Sequence, residues 1–215
     1  MATVLLVMDG RAKDGSTQPE LLPLAHAVSR GVTHTGAQVR LFGLSDSTES
    51  AAALASSDIK ELPRDPDALQ ELCAGVEAVI IGGVVRRGGM SGTVLSALET
   101  LAALPTTSIA GSGPLSGKVG SVFTCSMGSG VGGHETALAA VHSTLISCGM
   151  LVCGVLPSPQ LELLDAATPL GVCMPSGAKK EQRVAACRCA EMQGQNVADV
   201  AAKLQLASVV AQLRS

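Results

Sequence analysis

The segment with the clearest chemical potential is Gly128-Ser129-Gly130-Val131-Gly132-Gly133, which fits G-x-G-x-x-G and lies between an apolar run and an amphipathic one. Such a loop aims backbone N–H groups at a phosphate. A dinucleotide site would place it after the first apolar run, whereas here it follows the fourth, and Glu162 stands too far along to hold a ribose. A dinucleotide-binding protein is therefore the weakest of the readings considered. Gly111 to Lys118 resembles a P-loop only superficially, because the spacing is one residue too long and no Ser or Thr follows Lys118 to hold Mg²⁺. A surface loop is expected there. His26, His34, His134 and His142 stand singly on or beside predicted helices, without metal-ligand spacing. Only His134, with Glu135 and Thr136 beside it, lies near a loop that could carry a site, and all four are expected to be structural or solvent-facing. The seven cysteines form no C-x-x-C pair and read as small hydrophobes in a reducing compartment. Cys187 and Cys189 point to different faces of a helix, so no metal site is expected, and no catalytic residue is assigned.

The elements that must position these loops are legible as an alternation. Val4 to Met8, Val39 to Leu44, Ala78 to Ile81, Val119 to Thr124 and Leu151 to Leu156 read as five strands. Between them, Leu21 to Thr35 reads as a helix closed by Gly36, and Pro66 to Ala74 as a short one. Ser91 is expected to cap a helix whose Val94, Leu95, Leu98 and Leu101 share a face before Pro105. Leu138, Val141 and Leu145 mark another before Gly149, and Gln182 to Leu213 reads as helical with a break at Gly194. This pattern predicts a doubly wound α/β fold, with a five-stranded parallel sheet and helices on both faces. Ser45 to Asp65, Pro105 to Gly117 and Pro157 to Lys180 lack periodicity, and the last two are long enough to be insertions. At 215 residues, one domain over 1–215 is expected.

Composition narrows the partners. A net charge of −3 and a near absence of aromatic residues (two Phe, no Tyr, no Trp) argue against nucleic acid. Every apolar run is interrupted before it could cross a bilayer, so no membrane span is expected. Met1-Ala2-Thr3 leads straight into the first strand with no basic n-region, and a cytoplasmic location is expected.

Three loops fall at the carboxyl ends of strands one, three and four, where open α/β sheets bind ligands: Asp9 to Pro19, Gly82 to Ser91 and Cys125 to Gly133. Here the chain resembles the WrbA family of flavodoxin-like NAD(P)H:quinone oxidoreductases. Ile81-Gly82-Gly83-Val84-Val85-Arg86-Arg87-Gly88-Gly89-Met90-Ser91-Gly92 follows that family's G-T-P-T-R-F-G-N-M-S-G. The likeness continues through Ser121-Val122-Phe123, Cys148-Gly149-Met150-Leu151-Val152 and Thr168-Pro169-Leu170-Gly171, similar to the family's T-P-Y-G. The resemblance implies a flavodoxin-like fold with WrbA-type insertions, FMN as cofactor, and NAD(P)H and a quinone as substrates. It also implies tetramers, hence a homo-oligomer or a subunit of a larger assembly. Carried over by position, Ser16 and Thr17 would contact the phosphate and Val85, Arg86 and Gly88 the ring and ribityl chain. Ser126, Gly128, Ser129 and Gly130 would close the third side.

The chain also departs from the family at these positions. Ser16 to Pro23 falls on the family's S-x-x-G-H-x-x-T, so Pro19 offers no N–H, Pro23 removes another, and Glu20 stands where a phosphate dianion would sit. Arg11 and Lys13 in the lengthened loop could compensate. A charge-assisted hydrogen bond contributes roughly 1.5–3 kcal/mol, so losing one or two weakens FMN by an order of magnitude or more. Val84 and Val85 replace two residues of the Thr-Pro-Thr turn, Arg87 the family's Phe, Leu170 its Tyr, and Ser147 and Cys148 its His pair. The expectation is a divergent WrbA-like protein with a degraded FMN site, a non-catalytic or weakly active binding or assembly subunit. The alternative is a working FMN-dependent NAD(P)H:quinone oxidoreductase whose pocket is rebuilt with Arg86, Arg87, His134 and the long first loop.

Overall fold

The computed structural model describes residues 1–9, 21–44, 59–105, 113–126, 132–156 and 167–213. Four long parallel strands form the middle of one sheet: β1 (Thr3–Asp9), β2 (Gln38–Leu44), β4 (Ala78–Arg86) and β6 (Val119–Ser126). Their order is β2-β1-β4-β6, and β3 (Lys60–Glu61) extends β2 on the outer edge. Along β1, Val4, Leu6 and Met8 face one apolar cluster while Leu5 and Val7 face the other. Strands buried on both faces read as unbroken apolar runs, which is why these were legible.

The first cluster is covered by α1 (Leu21–His34) and the long α5 (Lys180–Gln212). The second is covered by α2 (Pro66–Ala74), α3 (Gly92–Ala102) and α4 (His134–Ser147). The doubly wound, flavodoxin-like architecture is thus present, with β4 and β6 each running further than their apolar runs suggest.

Two expectations change. The break at Gly194 is absent, and α5 passes through it as one helix. A Cβ on Gly194 would lie 2.2 Å from the carbonyl oxygen of Val28, and one on Gly31 would lie 1.9 Å from that of Glu191. These glycines are where α1 and α5 touch backbone to backbone. Ser91 does precede α3, yet its hydroxyl makes no capping bond. It donates instead to the buried Asp9 carboxylate at 2.6 Å, tying the end of β1 to the start of α3.

The fifth strand differs more. Leu151 to Leu156 is a strand only over β7 (Leu151–Val152), beside Val119 and Gly120 at the start of β6. Further up the same edge β9 (Gly171–Met174) takes over, opposite Thr124 and Cys125, with β8 (Ala167–Thr168) as its antiparallel hairpin partner. Side chains bridge the interval. Ser121 Oγ donates to the Cys153 carbonyl. The fully buried Gln193 donates to Ser121 Oγ and to the Val122 carbonyl, both at 2.8 Å, and accepts from the Val172 N–H at 3.3 Å. One turn along α5, Asn196 donates to the Gly154 carbonyl at 3.2 Å.

Gln193→Leu would strand the Val122 carbonyl, the Val172 N–H and part of the bonding of Ser121. An unpaired buried group costs about 1–3 kcal/mol, so the variant is expected to lose about 3 kcal/mol, or roughly 6–12 °C in melting temperature for a chain of this size. Gly194→Ala is expected to cost about 1–3 kcal/mol by forcing α1 and α5 apart. Urea unfolding of both variants checks this, and a midpoint equal to the parent's in either would contradict the packing described.

Candidate ligand crevice at the carboxyl edge

The topological switch point of the sheet lies between β1 and β4, since the chain winds outward from β1 to β2 and then crosses to β4. Open α/β sheets bind ligands in the crevice beyond that point. Pairing of β1 with β4 ends at Met8 opposite Gly82, while β4 continues against β6 as far as Val85 opposite Ser126. The top of β4 therefore projects past the end of β1.

It then reverses into β5 (Gly89–Met90) through a two-residue turn, with Arg86 opposite Gly89. Arg87 has φ +50° and Gly88 φ +83°, the left-handed pair that a tight hairpin requires. Arg87 is the only non-glycine residue with positive φ among the described residues. Arg86, Arg87 and Gly88 are all exposed. Beneath the turn, a Cβ on Gly133 would lie 2.5 Å from Gly88 Cα. The loop entering α4 and the β4–β5 turn are thus in backbone contact, which brings together two of the three loops singled out in sequence.

The positions carried over from the resemblance divide into three groups. Arg86 and Gly88 stand at the open turn. Val85 points its side chain into the second core cluster, leaving only its backbone for the crevice, and buried Ser126 accepts a hydrogen bond from the Ser176 N–H at 2.8 Å. Ser16, Thr17, Gly128, Ser129 and Gly130 lie outside the described residues, as do Arg11, Lys13, Pro19 and Glu20. Ser147 and Cys148 do not join the crevice of their own chain. They end α4 at the amino edge of the sheet, where Gly149 accepts from the Gly117 N–H just before β6 begins.

Sequence reasoning missed a polar cluster beside the Gly88–Gly133 contact. His134 opens α4, and its Nδ1 lies 2.8 Å from Oγ1 of the fully buried Thr124 near the end of β6. Its Nε2 is buried with no hydrogen-bond partner. Burial lowers the pKa of His134, favouring the neutral imidazole. Cys173, opposite Thr124 across the β6–β9 ladder, has its thiol pushed up to about 11, chiefly by burial and with Glu135 adding to it, while a hydrogen bond with Thr124 opposes the shift. It is a protonated thiol rather than a nucleophile. No motif announces this grouping, because Cys173 lies in a stretch without period. Asp9, named in sequence only as a loop boundary, places a buried carboxylate at the mouth of the first loop.

Elsewhere, Lys118 donates to the Cys73 carbonyl and to that of Ala74 at 3.1 Å, closing the carboxyl end of α2. That role accounts for it without a phosphate. Among the described residues no cluster of His, Cys, Asp or Glu could hold a metal ion, and no helix is long and apolar enough to cross a membrane.

Fold and crevice define a flavodoxin-like protein, and comparison with known proteins places it further. Residues 3–161 match the model of the NADPH-dependent FMN reductase family. A protein of Chromohalobacter salexigens named NAD(P)H dehydrogenase (quinone) is 34% identical over 193 residues, covering 84% of this chain and 90% of the relative. One of the same name from Paracoccus denitrificans is 30% identical over 189 residues, covering 84% and 88%. Among solved structures, a WrbA-like flavodoxin from Agrobacterium tumefaciens aligns with TM-score 0.57 at 18% identity, over 94% of this chain and 99% of that one. RosB aligns with TM-score 0.64 at 14% identity, over 100% and 88%. The chain belongs to the NADPH-dependent FMN reductase family and is a WrbA-type flavodoxin-like protein.

Buried His142 and half-buried His134 set a pH dependence. His134 and His142 both have pKa values lowered by burial, so below about pH 6.5 the unfolded chain binds more protons than the folded one. Their contribution is complete above that pH and is lost as pH falls. The urea midpoint is expected to drop between pH 7.5 and 5.5, and His142→Gln is expected to drop less over the same interval. An equal drop in parent and variant would rule out His142 as a contributor.

Proposed function

We propose that the carboxyl-edge crevice is an FMN site with a weakened phosphate grip, and that the protein is a weakly active FMN-dependent NAD(P)H:quinone oxidoreductase that works as a homo-oligomer. The observation that carries this reading is the contact of Gly88 with Gly133, which joins two loops into one wall at the switch point of the sheet. The residues suit a flat ligand held by backbone groups. An added Cβ on Gly88, Gly89 or Gly132 would meet nothing within 4 Å, so the main chain of both loops faces open space. Exposed Arg86 and Arg87 add positive charge beside it. Two relatives at 34% and 30% identity carry the name NAD(P)H dehydrogenase (quinone).

When bound, FMN would supply the hydride relay between a nicotinamide and a quinone. The protein's own part is to hold and orient it. Backbone N–H groups of the Arg86 to Gly88 turn and of Gly132 and Gly133 would face the ring side, and the arginines would favour a reduced, anionic ligand. The phosphate side is the weak one, since Pro19 lacks a donor and Glu20 brings negative charge to that loop.

A second reading is an assembly subunit without flavin. It is favoured by the absence of Tyr and Trp from the whole chain, which leaves no large aromatic side chain except two Phe to stack on isoalloxazine, and Phe123 is fully buried.

Fluorescence titration with FMN and quinone reduction by NADH in excess FMN separate the two readings. Weak but saturable binding, lost on desalting, together with quinone reduction that depends on added FMN, is expected. Pro19→Gly with Glu20→His is expected to tighten FMN by about tenfold or more, by restoring a donor and removing a charge. Absence of saturable binding and of quinone reduction at millimolar FMN would overturn the enzyme in favour of the subunit.

A further inference from the structure

We propose that His134 Nε2 is a hydrogen-bonding contact of this chain to FMN in the carboxyl-edge crevice, with Thr124 the positioning residue that orients the imidazole; this rests on the FMN reading above. An unpaired buried polar atom is costly and calls for an explanation. His134 Nε2 is such an atom, while Nδ1 of the same ring is committed to Thr124 at 2.8 Å. The ring follows directly on Gly133, which is in contact with the Gly88 turn, so the buried, unpartnered nitrogen belongs to the residue beside the junction of the two loops that form the crevice wall.

His142 provides the contrast. Its Nε2 is also unpartnered, but it stands two turns further along α4 among Leu138, Val141 and Leu145, away from every loop of the carboxyl edge. An orphan nitrogen alone is therefore not a site; position at the crevice is what distinguishes His134.

The hydroxyl of Thr124 makes this contact adaptable. If Thr124 donates to Nδ1, then Nε2 carries the proton and donates; if Nδ1 donates to Thr124, then Nε2 accepts. Thr124 has no exposed surface and is flanked by Cys173 across the ladder, so the ring plane is held while the proton position can follow the ligand. An uncharged imidazole suits the carbonyl and ring-nitrogen edge of isoalloxazine or the ribityl hydroxyls, rather than the phosphate.

The test uses the intact chain with FMN as the probe. His134→Ala is expected to weaken FMN about 2–10-fold, the range for one neutral hydrogen bond. His134→Gln is expected to recover most of that loss, because its amide can donate or accept. In ¹⁵N spectra of the histidine rings, saturating FMN is expected to shift Nε2 of His134 and leave that of His142 in place. Thr124→Val is expected to alter the tautomer balance of His134 in the free protein and to weaken FMN by less than His134→Ala. If His134→Ala does not fold, the Nε2 shift in the parent and the Thr124→Val comparison decide. Equal affinity of parent and His134→Ala, or an Nε2 signal unmoved by FMN, would overturn the role of His134 and leave the FMN site standing. Absence of saturable FMN binding by the parent itself would overturn the site, and His134's role with it.

Discussion

A parallel sheet interrupted along one edge must find partners for every backbone group left facing the interruption, and the arrangement of this protein's carboxyl edge depends on how that is done. β7 and β9 share one edge of β6 with an interval between them. Gln193 reaches across from α5 with both ends of its amide, donating to Ser121 and Val122 and accepting from Val172. A carboxamide suits this place because it offers donor and acceptor in one plane without the desolvation cost of a charge. By holding β9 against the upper half of β6, it puts Cys173 opposite Thr124 and brings the Ser176 N–H to Ser126.

The helix layer supporting Gln193 is held by close backbone approach rather than by bulk. Gly31 and Gly194 let α1 and α5 meet carbonyl against Cα. The core on that face is correspondingly rich in Ala and Val, among them Ala25, Ala27, Val28, Ala190, Val197 and Ala198. Small side chains bring the helices close, and dispersion over many short contacts replaces what aromatic residues supply elsewhere. The scarcity of aromatic residues, which weakens any case for a stacked flavin ring, is thus consistent with a well-packed scaffold.

Retained and altered features separate along the sequence. The wall formed by the β4–β5 turn and the Gly133 loop keeps the glycines and left-handed geometry that backbone recognition needs. In sequence, Pro19 and Glu20 fall where the family's phosphate loop carries a Gly and a His, and that loop lies outside the described residues. In the FMN reading, recognition would lean on the ring side, where the Arg86 and Arg87 charges and the His134 imidazole stand.

Much of the fold was legible from sequence because it rests on local pattern. The four central strands are unbroken apolar runs, α1 to α4 show an apolar face or a clear stop, and glycines at 82, 83, 88, 92, 128, 130, 132 and 133 marked the loops at the carboxyl edge. What only the tertiary structure decided depended on contacts between distant residues. β9 has four residues in a stretch without period, and it is a strand because β6 offers an edge and Gln193, about twenty residues on, pairs the backbone beside it. Gly194 reads as a helix breaker by intrinsic propensity, but its missing side chain admits α1, and packing outweighs a penalty of about 1 kcal/mol. Ser91 reads as a cap, yet a buried carboxylate 82 positions earlier in sequence claims its hydroxyl. Thr124 and His134 carry no motif and become a pair only because the start of α4 packs beside the end of β6. The sequence by itself determined the sheet, its helices and the loops that meet at its edge; the tertiary structure decided which polar groups those loops hold unpaired, because a hydrogen bond left open is a property of the whole surroundings and of no single residue.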